Sequence, residues 1–81
     1  MAFAVVRRTW GPDSIPGARR TGSPALDTRT VALADTREQA DRLARTNVLA
    51  FAAKGYNMRL GYWWGRDTRF RYTFAVEPAA R

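Results

Sequence analysis

The sequence contains neither cysteine nor histidine in its 81 residues. Without cysteine the chain cannot form a disulfide, bind a metal through thiolates or use a thiol nucleophile. Without histidine it lacks the commonest general base and the commonest metal ligand. Ser14 and Ser23 remain as nucleophiles, but they lie in a Pro/Gly-rich segment with no base nearby in the sequence. We therefore expect a protein that is not an enzyme and needs no cofactor or metal.

Long hydrophobic runs are also missing. The longest apolar stretch near the start, Ala2–Val6, is too short for a signal-peptide core and far too short to span a bilayer. We therefore expect a cytoplasmic protein with no membrane partner. A chain of this length accommodates one domain with a thin core.

Acidic residues are scarce, since seven Asp and Glu face fourteen Lys and Arg and leave a formal charge of +7. The excess is spread along the chain and does not form a basic tail. Such a balance predicts a polyanionic or acidic partner.

Strand-forming residues predict four strands. Residues 2–10 and 29–34 are rich in strand formers, and the segment 11–28 between them holds three of the four prolines and is predicted to be a long loop. Residues 58–64 and 69–76 alternate with period two and many aromatics, which is typical of an antiparallel hairpin. Residues 78–81 are predicted to form a tail.

One helix is predicted from Asp35 to about Lys54. Asp35 and Glu38 have the spacing of a capping box, and Thr36 and Gln39 repeat that spacing one residue later. Gly55 is expected to cap the helix at its C-terminus. The predicted apolar face consists of Ala40, Leu43, Ala44, Asn47, Val48 and Phe51. The whole chain is then a single α+β domain of order ββαββ, a four-stranded antiparallel sheet with one helix packed on one face.

The face of the sheet away from this helix is the candidate site. If Tyr62 and Trp64 face the helix, alternation places Trp63 on the other side. The hairpin is then expected to show three arginines around Trp63, namely Arg59, Arg69 and Arg71. Arginines around an aromatic ring on a sheet are typical of a platform on which bases stack. Trp63 fits a protein or dimer interface equally well, or a structural position beneath the long loop.

Two functions are consistent with these features. The first is a small basic inhibitor or adaptor that docks on a partner protein or nucleoprotein complex, as small proteins of phages and mobile elements do. The second is a nucleic-acid-binding module that uses the Arg/Trp face together with Arg19 and Arg20 in the loop. A contiguous basic stripe on the sheet would favour nucleic acid, and a mosaic with exposed apolar residues would favour a protein. An unpaired strand edge also predicts a homodimer.

Overall fold

The computed structural model describes residues 2–11 and 25–79, which form five strands and one helix around a single sheet. In chain order they are β1 (Phe3–Trp10), β2 (Asp27–Ala34), α1 (Arg37–Val48), β3 (Ala53–Asn57), β4 (Tyr62–Arg66) and β5 (Arg71–Pro78). Every strand pair is antiparallel, and the order across the sheet is β2-β1-β5-β4-β3. The predicted α+β class is confirmed, with five strands in place of four.

The core lies where α1 crosses the central strands. Ala40 and Ala44 are fully buried, and their small side chains let the helix approach Val5 of β1 and Phe74 of β5 closely. Val48 completes this buried cluster one turn further along. The predicted apolar face of the helix is thus confirmed at its three smallest apolar positions. Two other members lie at its margin, since Leu43 and Asn47 are exposed.

The N-terminus of α1 is capped by Thr36. Its Oγ1 accepts a hydrogen bond from the backbone N–H of Gln39 at 3.1 Å, and the Gln39 side chain accepts one from the N–H of Asp35 at 3.2 Å. The expectation that Asp35 caps the helix is therefore wrong by one residue. The second of the two capping patterns in the sequence is the one that forms, because Thr36 has the extended backbone that a cap requires.

The helix ends at Val48, six residues before the predicted end. The residues that follow it form a fifth strand that the sequence did not predict. Residues 53–57 pair with β4, so that Gly55 lies in a strand and does not cap the helix. Between the two elements, Phe51 stacks on Tyr72 with ring centroids 5.0 Å apart. Strand pairing and the contact of this ring outweigh the helix propensity of residues 49–54.

A tight turn joins β3 to β4. Gly61 has φ +76°, and its N–H donates to the carbonyl of Asn57 at 2.7 Å. The Asn57 side chain accepts from the N–H of Leu60 at 2.9 Å. Residues 58–61, predicted as the start of a strand, are therefore a turn.

Candidate functional site

Trp63 faces the helix. It pairs with Phe74 of β5, its indole Nε1 donates to Asp41 Oδ1 at 2.9 Å, and its ring centroid lies 4.8 Å from that of Tyr56. The prediction that Trp63 points away from the helix is therefore wrong. Alternation shows only that Trp63 and Trp64 lie on opposite faces, and a shift of one residue exchanges the faces.

We call the side of the sheet opposite α1 the distal face. By strand register it carries three arginines and three aromatic residues: Arg8 and Trp10 of β1, Tyr62, Trp64 and Arg66 of β4, and Arg71 of β5. The face predicted around Trp63 is therefore built largely from other residues. It remains a surface of arginine and tryptophan.

Five of these side chains, all except Tyr62, lie in two adjacent rows across the sheet. In the first row Trp10 lies opposite Arg71, which lies opposite Arg66. In the second row, Arg8 and Trp64 flank Thr73 from either side. Side chains directly opposite on antiparallel strands have Cβ atoms about 4.5–5.5 Å apart. Arginine and tryptophan are therefore neighbours over β1, β5 and β4.

The sheet holds both indole rings in place. Trp10 Nε1 donates to Oγ1 of the buried Thr73 at 3.0 Å, which ties the ring across β1 and β5. The Trp64 indole lies over Gly55, where an added Cβ would come within 3.0 Å of its Cε2, Cζ2 and Nε1 atoms. A larger residue at position 55 would displace that ring. A ring fixed in advance loses little side-chain entropy when a ligand binds it.

The charge on the distal face is mainly positive. Of the six acidic residues in the described part of the chain, only Glu77 has a strand position on this face, and it pairs with Arg8 at 2.8 Å. Arg66 and Arg71 stand directly opposite each other. Both are guanidinium groups, which bind phosphate oxygens.

The turn between β4 and β5 positions this arginine pair. Asp67 Oδ1 accepts from the backbone N–H groups of Arg69 at 2.8 Å and Phe70 at 2.7 Å, and these bonds hold the pKa of Asp67 below its usual value. The Tyr72 hydroxyl donates to Asp67 Oδ2 at 3.1 Å. Burial, and then this carboxylate, raise the pKa of Tyr72. The ionised carboxylate thus closes the hairpin.

The residues predicted as a site are not all brought together. Arg71 is on the distal face, whereas Arg59 lies in the β3–β4 turn and Arg69 in the β4–β5 turn, both exposed. Arg19 and Arg20 lie outside the described residues. The described residues nearest to them in the chain lie at the Trp10 end of β1, where Leu26 N–H donates to Thr9 O at 2.7 Å.

Sequence reasoning missed five of the six arginine and aromatic residues of the distal face, namely Arg8, Trp10, Tyr62, Trp64 and Arg66. Two signals were present in the sequence. Arg8 and Trp10 are two residues apart in β1, and Trp64 and Arg66 are two residues apart in β4, so each pair shares a face. Only the pairing of β1 with β5 and β5 with β4 brings the two pairs onto one surface.

Among residues 2–11 and 25–79, no group of three or more acidic side chains is placed to hold a metal ion. The single helix in this part of the chain is too short and too polar to cross a membrane. In comparisons with known proteins, the chain matches no protein-family model, no curated protein and no solved structure.

Proposed function

We propose that this protein binds single-stranded nucleic acid on the distal face. One observation carries the proposal: each arginine of the cross-strand pair Arg66 and Arg71 has an indole ring beside it. Trp10 lies opposite Arg71 on the neighbouring strand, and Trp64 lies two residues from Arg66 on the same strand. Guanidinium groups bind phosphate oxygens, and indole rings stack on bases. Both chemistries are present here, at the spacing of neighbouring strands.

The arrangement suits unpaired bases better than a duplex. A base inside a duplex is stacked on both sides, so a ring on a sheet reaches it only after the strand is opened. Bases of a single strand are free to lie on Trp10 and Trp64 while the backbone follows the arginines between them. Stacking needs no base-specific hydrogen bond, so we expect weak sequence preference and strong salt dependence.

The test is a fluorescence-anisotropy titration of an oligothymidylate of about 12 nucleotides, a length within the usual site size of such surfaces. Trp64→Ala should weaken binding about 5- to 150-fold, which corresponds to the loss of one stacked base. Arg66→Ala should also reduce the slope of log K against log salt by about 0.7, the contribution of one phosphate contact.

Arg45→Ala is the matched control for Arg66→Ala. Arg45 is exposed on α1, on the other side of the molecule from the distal face. Its replacement removes one positive charge, as Arg66→Ala does, but leaves the distal face intact. It should bind nearly as the wild type does. Equal weakening of binding by Arg66→Ala and Arg45→Ala would show that only the net charge matters. Wild-type affinity in Trp64→Ala would exclude stacking of a base on that ring.

A second candidate function is docking on a protein, as an inhibitor or adaptor. It is favoured by the β3–β4 turn, where Met58 and Leu60 are 87 % and 50 % exposed and Tyr56 beside them is also exposed. Exposed apolar residues grouped on one loop are typical of protein contacts. A pull-down with and without nuclease separates the candidates. Protein capture that survives nuclease and is lost in Met58→Lys would support docking.

A further inference from the structure

The outer edge of β2 is the most exposed strand edge in the described part of the chain. β2 is the first strand in the sheet order and is eight residues long, and no described strand pairs with its outer side. Residues 28–31 and Leu33 are exposed. An unpaired edge presents a row of backbone donors and acceptors to any strand that can lie against it.

Apolar residues flank this edge on both sides. Leu33 is 65 % exposed, Val31 and Leu26 are exposed with it, and Leu43 of the neighbouring helix is also exposed. A groove of about 590 Å³ runs between the end of β2 and α1, with Leu33 and Leu43 among its lining residues. A strand added at β2 would cover apolar surface on both of its faces. The opposite edge, β3, is five residues long and carries Lys54, the residue type that commonly blocks pairing at edges.

Charge indicates what covers the edge. The chain carries +7, so two copies repel each other over most of their surface. β2 contains one acid and one base, Asp27 and Arg29, which pair with each other at 3.0 Å. It is therefore an edge without net charge on a basic molecule, with an apolar second half from Val31 to Ala34, where the approach of a second copy meets little repulsion.

We propose that the protein forms a two-fold dimer in which β2 pairs antiparallel with β2 of a second copy. One contact of this kind satisfies both edges at once, because the same surface serves both partners. An antiparallel pair within one sheet requires the two-fold axis to stand perpendicular to that sheet. Such an axis keeps both helices on the same side and both distal faces on the other.

The dimer would thus be a ten-stranded sheet with one continuous distal face. At about 4.8 Å per strand, that face would be about 48 Å wide. Two sets of arginine and tryptophan would then lie on one surface. The proposed dimer follows from the unpaired outer side of β2 and from the lack of net charge on that strand, and it does not depend on which ligand the distal face binds.

Analytical ultracentrifugation of the purified chain without any ligand tests the proposal. The wild type should sediment with twice the 9.1 kDa of the chain at high protein concentration. Leu33→Lys should weaken the dimer at least about tenfold, because it removes one apolar side chain and adds one charge in each copy. Val31→Lys should act in the same direction.

Leu60→Lys is the matched control, since it makes the same change at a leucine of similar exposure on the β3–β4 turn. It should remain a dimer, and far-UV circular dichroism should show all three variants folded. A wild type that stays monomeric at about 1 mM, a concentration at which even a weak contact with free energy near −4 kcal/mol associates, overturns the proposal. So does a dimer that both β2 variants leave intact.

Discussion

Replacing Trp63 and Trp64 separately tests which residues of β4 face the helix and which face the other side of the sheet. Trp63→Ala removes an indole that contacts Tyr56, borders the core at Phe74 and donates a hydrogen bond to Asp41. Trp64→Ala removes an indole that lies over Gly55 on the distal face. The structure therefore predicts that the first variant loses stability and the second mainly loses binding.

The magnitude follows from the contacts. Removing a large aromatic side chain from a core costs about 3–5 kcal/mol, and the half-buried Trp63 belongs at the lower end, about 3 kcal/mol. A domain of this size is stable by about 4–12 kcal/mol, so the loss is a large share of the total. It corresponds to a fall in Tm of about 12–24 °C. Trp64→Ala should cost about 1 kcal/mol.

Thermal and urea unfolding followed by circular dichroism measures both free energies. Trp63→Phe refines the experiment, because it keeps a smaller ring in the core and removes the donor to Asp41, whose loss alone costs about 1–2 kcal/mol. Combined with Asp41→Ala in a double-mutant cycle, it isolates the energy of that hydrogen bond. A Trp64→Ala protein that unfolds more easily than Trp63→Ala would refute the assignment of the faces.

Three further predictions concern the framework. Gly65→Ala should cost about 1–3 kcal/mol, because a Cβ there would lie 2.7 Å from Phe51 Cγ, and Tm measures the loss. Thr36→Ala should cost about 0.5–2 kcal/mol in urea unfolding through the lost cap, whereas Asp35→Ala should cost little. The free energy of unfolding should fall as the pH drops below about 4, because the pKa of Asp67 is lower in the folded state than in the unfolded state. The stabilisation from the ionised Asp67 is fully present above the unfolded pKa and is lost as the pH falls through the folded pKa.

Each of these has a control of its own. Phe51→Ala combined with Gly65→Ala should cost less than the sum of the two, because the small side chain makes room for the new methyl group. A larger loss in Asp35→Ala than in Thr36→Ala would return the cap to Asp35. Asp67→Asn should flatten part of the acid limb of the stability curve. An unchanged acid limb in that variant would assign the pH dependence to other carboxylates.

The central features of the fold were predictable from the sequence, because local periodicity determines them. Period-two alternation in residues 69–76 places Phe74 and Tyr72 on one face, and that face does meet the helix. Small residues at Ala40 and Ala44 indicate the side of α1 that approaches the sheet closely. A capping pattern near residues 35–39 gives the start of the helix to within one residue.

Only the tertiary structure decided where the helix ends and which residues of β4 face it. Residues 49–54 have helical propensity, yet Phe51 packs beside Tyr72 and the chain pairs with β4 from Ala53 onward. β4 is aromatic on both faces, so alternation alone does not say which tryptophan meets α1. Pairing with β5 decides it, because Trp63 lies opposite Phe74 and every residue of β4 then takes its face from that register. The sequence by itself therefore determined most of the strand-forming segments and the start of the helix, and strand pairing determined which arginines and tryptophans share a face.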